Sequence, residues 1–111
     1  MHRGEIYWTN VETNVQHVNK GFRPVLVVSN DICNETSHVV TVVPLTTADK
    51  KFMPTHVATY VNGIKNTILC EHVMPVNKED LKDINKFAEL PKGTMDLVSV
   101  ALMKQLGIMG C

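Results

Sequence analysis

Histidine and cysteine are the side chains that most often bind metals or act as nucleophiles, and this sequence contains five histidines and three cysteines. The cysteines, Cys33, Cys70 and Cys111, are widely spaced and form no Cys-x-x-Cys pair. The histidines are equally scattered, and no two of them stand four residues apart beside a carboxylate, as in a zinc protease. We therefore expect reduced thiols, no metal site and no other cofactor.

Two polar side chains stand at the ends of apolar runs. Arg23 and Pro24 precede the run 25–29, and Thr46 follows the run 38–45. A guanidinium group is planar and always charged, so it can bind two phosphate oxygens at once. By the pattern alone, however, Arg23 is typical of a solvated arginine at a strand start, and Thr46 of a threonine that satisfies a turn. Pro24 is expected at the first position of its strand or on a sheet edge, because it cannot donate a ladder hydrogen bond.

Length, composition and charge limit the function classes. The chain has 111 residues, which predicts a single domain over residues 1–111. Lys plus Arg equal Asp plus Glu at 11 each, and this zero net charge argues against a protein that holds duplex DNA by bulk charge. It also permits self-association. No apolar run approaches the roughly 18 residues of a membrane span, and the first residues do not resemble a signal peptide. We expect a cytoplasmic protein.

Five runs rich in β-branched or aromatic residues predict short strands. These strands cover residues 5–9, 23–29, 38–45, 55–61 and 64–74. Polar loops or turns are predicted at residues 10–20, 30–37 and 48–54. Asn62-Gly63 is the strongest short hairpin signal, because both residues tolerate positive φ. Trp8 is expected in the core or at a dimer interface, and Cys70 is expected in the core.

The C-terminal segment predicts a helix over about residues 92–106 that packs against the sheet. Apolar residues recur there at helical spacing, at Met95, Val98, Leu102 and Leu106. Pro91 suits the first helical turn and Gly107 the position after the last turn. Residues 77–90 fit either a helix or a short turn followed by a strand. Successive strands with one final helix favour a mainly β (α+β) fold, with an antiparallel sheet curled into a small barrel.

Five sequence blocks occur in the order of a known family and extend over nearly the whole chain. They are Arg3–Trp8 (RGEIYW), Gly21–Asp31 (GFRPVLVVSND), Val43–Thr47 (VPLTT), Pro54–Val57 (PTHV) and Ile68–Glu71 (ILCE). With these blocks the sequence resembles the MazF/PemK family of toxin endoribonucleases from bacterial toxin–antitoxin pairs. The resemblance implies an SH3-like barrel with a C-terminal helix, as in CcdB-like and MazF-like toxins.

The resemblance also implies an activity and partners. Members of the family are homodimers that cut single-stranded RNA, including mRNA, at short sequence motifs and so inhibit translation and growth. They need no metal, and they leave a 2′,3′-cyclic phosphate and a 5′-hydroxyl. A small antitoxin protein covers their RNA groove. For this chain we therefore expect a single-stranded RNA substrate, a cognate antitoxin and a homodimer, with no membrane partner.

The family's catalytic pair is an arginine that opens the second strand and a threonine that ends the third. Those positions are Arg23 and Thr46 in this sequence. Cleavage needs the 2′-oxygen deprotonated, the 5′-oxygen protonated and the charge of the phosphorane stabilised. Arginine stays protonated and is a poor general base, so Arg23 is expected mainly to stabilise charge and is a candidate proton donor to the leaving oxygen. Thr46 is expected to position the phosphate. This pair leaves the general base unassigned.

The loop before Arg23 departs from the family pattern. Many members carry a Gly-Ser-Glu-Gln-like loop there, whereas this chain has Gln16–Lys20 (QHVNK), with Val18 in place of the acidic residue. A carboxylate that could assist proton transfer is therefore missing. Histidine titrates in the right range for acid–base work, and we predict that His17 takes part of that role. A mobile loop histidine without a role is the alternative.

Seven residues around the catalytic pair are predicted to bind RNA: Asn19, Lys20, Thr47, Lys50, Lys51, Phe52 and His72. The three lysines could form a basic rim for the phosphate backbone, although ordinary solvated lysines are the alternative for at least one of them. Phe52 could stack a base or plug the barrel mouth, and we favour the plug. His72 and Met74 replace a glutamine and an arginine of many family members. His72 could stack on or hydrogen-bond a base, or it could be a half-buried strand histidine.

Three function hypotheses remain open from the sequence. The first is the metal-independent endoribonuclease, and the second is a toxin of the same fold that poisons DNA gyrase. Gyrase poisoning does not need the retained Arg23 and Thr46. The third is a non-catalytic SH3-like binding module, which the missing loop carboxylate and the zero net charge favour. These hypotheses are separated by whether Arg23 and Thr46 converge in one open groove.

Overall fold

A computed structural model describes all 111 residues of the chain. It contains seven strands, β1 (Glu5–Val11), β2 (Gly21–Val27), β3 (Val39–Thr46), β4 (His56–Val61), β5 (Ile64–Leu69), β6 (Met74–Asn77) and β7 (Lys86–Glu89). Helix α1 (Asp31–Thr36) lies between β2 and β3, and helix α2 (Lys92–Gln105) follows β7. Short 3-10 turns occur at Cys70–His72, Lys78–Asp80 and Asp83–Asn85.

The strands form one curled antiparallel sheet in the order β4-β5-β3-β2-β1-β7, with β6 also paired to β3. Strand β3 has two partners on one side, because Val39–Val42 pair with β6 whereas Leu45 and Thr46 pair with β5. Two regions of the sheet therefore share β3 and curl around the core. The prediction of a mainly β antiparallel fold with a C-terminal helix is confirmed.

The buried side chains form two clusters on the two sides of the curled sheet. The larger cluster has 13 residues and lies under α2, which contributes Met95, Val98 and Ala101. The smaller cluster has seven residues, and Leu81 is its one member from outside the strands. The predicted helix stripe is wrong at its last position. Leu106 is 61% exposed, because α2 ends at Gln105 and Leu106 lies beyond the packed face.

The segment 30–37, predicted as a turn, contains helix α1. The side chain of Asn30 caps this helix by accepting a hydrogen bond from the amide of Cys33 at 2.8 Å. Asn34 is fully buried, and its Nδ2 donates to the carbonyl of Ser29 at 2.8 Å. The prediction was wrong because the residue types that form turns also cap helices, and the buried Asn34 gives this short helix a tertiary anchor.

The predicted strand 64–74 is also wrong in its extent. Strand β5 ends at Leu69, a 3-10 turn covers Cys70–His72, and β6 begins at Met74. The turn is needed because β5 pairs with the end of β3 whereas β6 pairs with its beginning. Cys70 is fully buried at this turn, as predicted for a core residue, and burial raises the pKa of its thiol to about 12.

The remaining local predictions agree with the structure. Asn62 and Gly63 have φ values of 49° and 80° and join β4 to β5 as a tight hairpin. Of the two alternatives for residues 77–90, the turn followed by a strand is correct, because β7 occupies Lys86–Glu89. The chain contains no helix with the length and apolar character needed to cross a bilayer.

Candidate active site

Arg23 and Thr46 are brought together at the place where two central strands separate. Val25 pairs with Pro44, and Leu26 pairs with Val43. The same register, extended by two residues, would place Arg23 opposite Thr46. However, the β2–β3 ladder ends at Val25, and Thr46 pairs only with β5, on the other side of β3. The first half of β2 therefore has a free edge on this side, as expected for a segment containing Pro24.

The gap between the separated strands is a pocket with a cavity volume of about 180 Å³. Its polar lining residues are Arg23, Thr46, Thr47 and Asn66. Its other lining residues are Trp8, Pro24, Leu45, Val61, Ile64 and Phe87. The pocket contains one positive charge and no carboxylate, so it is suited to an anionic group that carries an apolar part. Arg23 and Thr46 thus converge, as the endoribonuclease hypothesis requires.

The guanidinium of Arg23 is available for a ligand. Its Nε donates to the carbonyl of Lys20 at 3.0 Å, which fixes the direction of the side chain. None of the ion pairs in the chain includes Arg23, and the residue is exposed. The two terminal nitrogens therefore keep their donor capacity for a phosphate.

The hydroxyl of Thr46 is similarly available. It accepts a hydrogen bond from the amide of Ala48 at 3.1 Å, so its own proton stays free to be donated. Thr46 is half-buried and stands opposite Thr67 in the β3–β5 ladder. Its position is thus fixed by the sheet on one side and by the following turn on the other.

The predicted residues of the loop before β2 lie outside the lining of this pocket. His17 and Asn19 are exposed, and His17 has a left-handed backbone with φ of 67°. Lys20 contacts the site through its backbone carbonyl, which holds Arg23. The structure therefore places this loop beside Arg23 and Thr46 without joining its side chains to the pocket.

The predicted residues of the loop after β3 are divided between two places. Thr47 lines the pocket, whereas Lys50 and Lys51 are exposed outside it. Phe52 is 88% exposed and lines a separate cavity of about 260 Å³ beside α2, together with Leu97. The favoured role of Phe52 as a plug of the barrel mouth is wrong, because this loop turns outward toward the helix.

His72 is half-buried in the 3-10 turn that follows β5, and it does not line the pocket. Its Nδ1 is buried and has no hydrogen-bond partner in the structure. The description of His72 as half-buried is correct, although the residue lies in a turn and not in a strand. The chain contains no group of three or more His, Cys, Asp or Glu side chains close enough to hold a metal ion.

A network around Glu71 was not predicted. Glu71 accepts from Nε2 of His56 at 2.7 Å and from the Thr55 hydroxyl at 3.1 Å. Burial acts to raise the pKa of Glu71, but the hydrogen bonds from His56, the backbone and Thr55, together with the charge interaction with His56, outweigh burial and lower that pKa. Nδ1 of His56 lies 3.1 Å from the carbonyl of Lys51, so the network anchors the loop after β3 to the turn after β5. The sequence signal that could have revealed this network is the pair of blocks PTHV and ILCE, which contain Thr55, His56 and Glu71.

A surface cluster of aromatic rings was also missed. Trp8 stacks on Phe22 with ring centroids 5.5 Å apart and an interplanar angle of 24°. It meets Phe87 edge to face at 5.9 Å and 77°. Phe22 is 55% exposed and Phe87 is 40% exposed, so Trp8 belongs to a surface cluster and not to the core. The three residues come from β1, β2 and β7, which are adjacent only in the folded sheet.

Comparisons with known proteins identify the family of this chain. A family model described as PemK-like, MazF-like toxin of type II toxin–antitoxin system matches residues 2–106. Endoribonuclease EndoA of Bacillus subtilis is 33% identical over 111 residues, which cover 96% of this chain and 94% of EndoA. Endoribonuclease MazF of Staphylococcus saprophyticus is 30% identical over 97% of this chain and 92% of that protein. A mycobacterial endoribonuclease solved with its cognate antitoxin matches with a TM-score of 0.82 and 25% identity, over 100% of this chain and 99% of that one. The chain therefore belongs to the PemK-like, MazF-like family of type II toxin–antitoxin toxins.

Proposed function

We propose that Arg23 and Thr46 are the catalytic residues with which this member of the toxin family cleaves single-stranded RNA. The observation that carries the proposal is their convergence in one pocket, where an arginine without an ion pair and a threonine with a free hydroxyl proton line the same cavity. The endoribonuclease names of both curated relatives favour this reading over gyrase poisoning and over a non-catalytic module.

The proposed reaction is an internal transfer within the RNA backbone. A general base, the role proposed in part for His17, takes the proton of the 2′-hydroxyl, the 2′-oxygen attacks the adjacent phosphorus, and the bond from phosphorus to the 5′-oxygen breaks. The leaving 5′-oxygen takes up a proton, for which Arg23 is the candidate donor, and the products carry a 2′,3′-cyclic phosphate and a 5′-hydroxyl. The guanidinium of Arg23 stabilises the negative charge on the phosphorane oxygens, and Thr46 donates to one of them and positions it.

The acid–base role of His17 is a prediction with a direct test. If His17 transfers a proton, replacing it with alanine lowers kcat by about 100-fold and removes the limb of the pH–rate profile that histidine ionisation produces. Single-turnover rates measured from pH 5 to 9 would show both changes. His17→Gln serves as a matched variant, since it keeps a polar side chain of similar length that cannot titrate. A His17→Ala variant with the wild-type rate and profile would contradict the role.

We further propose that residues 1–111 act as one toxin domain, in a homodimer in the cytoplasm, and that a cognate antitoxin protein blocks the activity. The antitoxin complex of the mycobacterial relative supports a protein inhibitor. The zero net charge lowers the repulsion between two copies. Two exposed apolar side chains, Leu97 on α2 and Phe52 beside it, offer surface for protein contacts.

The function is tested by incubating purified, antitoxin-free protein with a long RNA of mixed sequence in EDTA. We expect cuts at a small number of sites that share a short sequence, with 2′,3′-cyclic phosphate ends. Fragment ends are identified by whether they can be ligated or phosphorylated directly. If folded protein leaves the RNA intact, the proposal fails, and a gyrase-type target or a binding role takes its place.

A further inference from the structure

The cluster of Trp8, Phe22 and Phe87, which we term the aromatic platform, borders a second cavity. This cavity has a volume of about 390 Å³ and is lined by Trp8, Phe22, Ile84, Asn85, Lys86 and Phe87. Ile84 is 89% exposed and extends the apolar surface of the platform. Large apolar side chains grouped at the surface mark binding sites more often than chance positions do.

The platform is continuous with the proposed active site. Trp8 and Phe87 line both the 390 Å³ cavity and the pocket of Arg23 and Thr46. In the β1–β2 ladder Trp8 stands opposite Pro24, and Thr9 stands opposite Arg23. A ligand group bound at Arg23 therefore has the aromatic rings next to it, on the side toward β1 and β7.

The one charged side chain that lines the 390 Å³ cavity is already paired. Lys86, the only charged residue lining the 390 Å³ cavity, pairs with Glu5 at 2.7 Å and with Glu89 at 2.8 Å. Among the residues that line the two cavities, the unpaired positive charge is thus on Arg23, at one end, and exposed ring surface is at the other. A nucleotide has the same division, with an anionic phosphate at one end and a flat aromatic base at the other.

We propose that the aromatic platform stacks the base of a nucleotide adjacent to the scissile phosphate held by Arg23 and Thr46. This inference rests on the proposed RNA cleavage and adds a binding subsite to it. Stacking on aromatic side chains is a common way to hold single-stranded RNA, and it tolerates any base because every base has a π-face. An apolar side chain of a protein partner would use the rings alone, whereas a nucleotide uses both the rings and the neighbouring guanidinium.

The experiment uses short RNAs that contain a mapped cut site. A 2′-deoxy nucleotide at the cut position prevents cleavage, and an abasic residue replaces the base on one side of the cut or the other. Dissociation constants are measured by fluorescence anisotropy for the wild type and for a Phe22→Leu, Phe87→Leu double variant. Binding is also followed by the fluorescence of Trp8, the only tryptophan of the chain, which a stacked base is expected to quench.

In the wild type, one of the two abasic substitutions should weaken binding by roughly 5- to 100-fold, the range for loss of one stacked base. The double variant should bind the intact RNA more weakly by a similar factor, and the same abasic substitution should then cost it less than about 2-fold. Tyr60→Leu is the matched control, because Tyr60 is 70% exposed on β4 and lines neither cavity.

An abasic penalty that is as large in the double variant as in the wild type would overturn the subsite. So would normal RNA binding by the double variant together with a weakened homodimer or antitoxin complex, because the platform would then be a protein interface. Cleavage by the wild type is measured alongside. If the wild type neither binds nor cuts RNA, the proposed function fails and the subsite fails with it.

Discussion

An Arg23→Ala variant is expected to cut RNA about 100- to 1,000-fold more slowly than the wild type in a single turnover. Removing one preorganised donor to a developing oxyanion typically costs this much. The fold should be unaffected, because Arg23 is exposed and forms no ion pair. The free energy of unfolding, measured by thermal unfolding, should therefore change by less than about 0.5 kcal/mol. A lower cleavage rate without a loss of stability would show that the substitution impairs the cleavage step and not the fold.

Arg23→Lys is the informative control for this result. Lysine keeps the positive charge but has no planar fork, so it cannot hold two phosphate oxygens in a fixed geometry. We expect its rate to lie between those of the wild type and the alanine variant. An alanine variant that cuts at the wild-type rate would show that Arg23 has no part in catalysis.

Acid is expected to destabilise the fold through Glu5. Burial of this carboxyl acts to raise its pKa, but hydrogen bonds from Lys86, the His2 amide and Tyr7 outweigh burial and lower it from 4.5 to about 2. A lowered pKa in the folded state means that Glu5 contributes stability above pH 4.5, which is lost as the pH falls toward 2. The contribution is at most about 3 kcal/mol. Urea unfolding measured at pH 7, 4, 3 and 2 would follow this loss.

A Glu5→Gln variant separates this carboxylate from the others in the chain. Glutamine cannot ionise, so the variant should be less stable than the wild type at pH 7. Its additional loss of stability between pH 5 and pH 2 should be smaller than that of the wild type. Parallel stability curves for the two proteins over this range would contradict the assignment, since Glu5 would then contribute nothing that depends on its charge.

The features predicted well from the sequence are those that local chemistry determines. Asn62-Gly63 forms its hairpin because the turn needs two successive residues with positive φ, which Asn and Gly tolerate better than other residue types. Helix α2 follows from its apolar spacing and from Gly107, which has φ of 74° directly after the last turn. The proposed catalytic pair rests on the family resemblance, since neither Arg23 nor Thr46 is distinctive by residue type alone, and its role stays a prediction.

The features predicted poorly depend on contacts between distant residues. The break at Cys70–His72 is set by which half of β3 is free to pair, and the residue pattern of the segment 64–74 does not show that pairing. The direction of Phe52 depends on the loop that His56 and Glu71 hold. The pocket itself arises because the part of β2 that precedes Val25 separates from β3, which a one-dimensional pattern cannot show.

The most direct test of the proposed active site is an experimental structure with a bound RNA oligonucleotide that carries a 2′-deoxy nucleotide at the cut position. We predict that the scissile phosphate lies within hydrogen-bonding distance of both the Arg23 guanidinium and the Thr46 hydroxyl. The base on one side of it should lie on the rings of Phe22 or Phe87. A scissile phosphate bound away from both Arg23 and Thr46 would contradict the central claim.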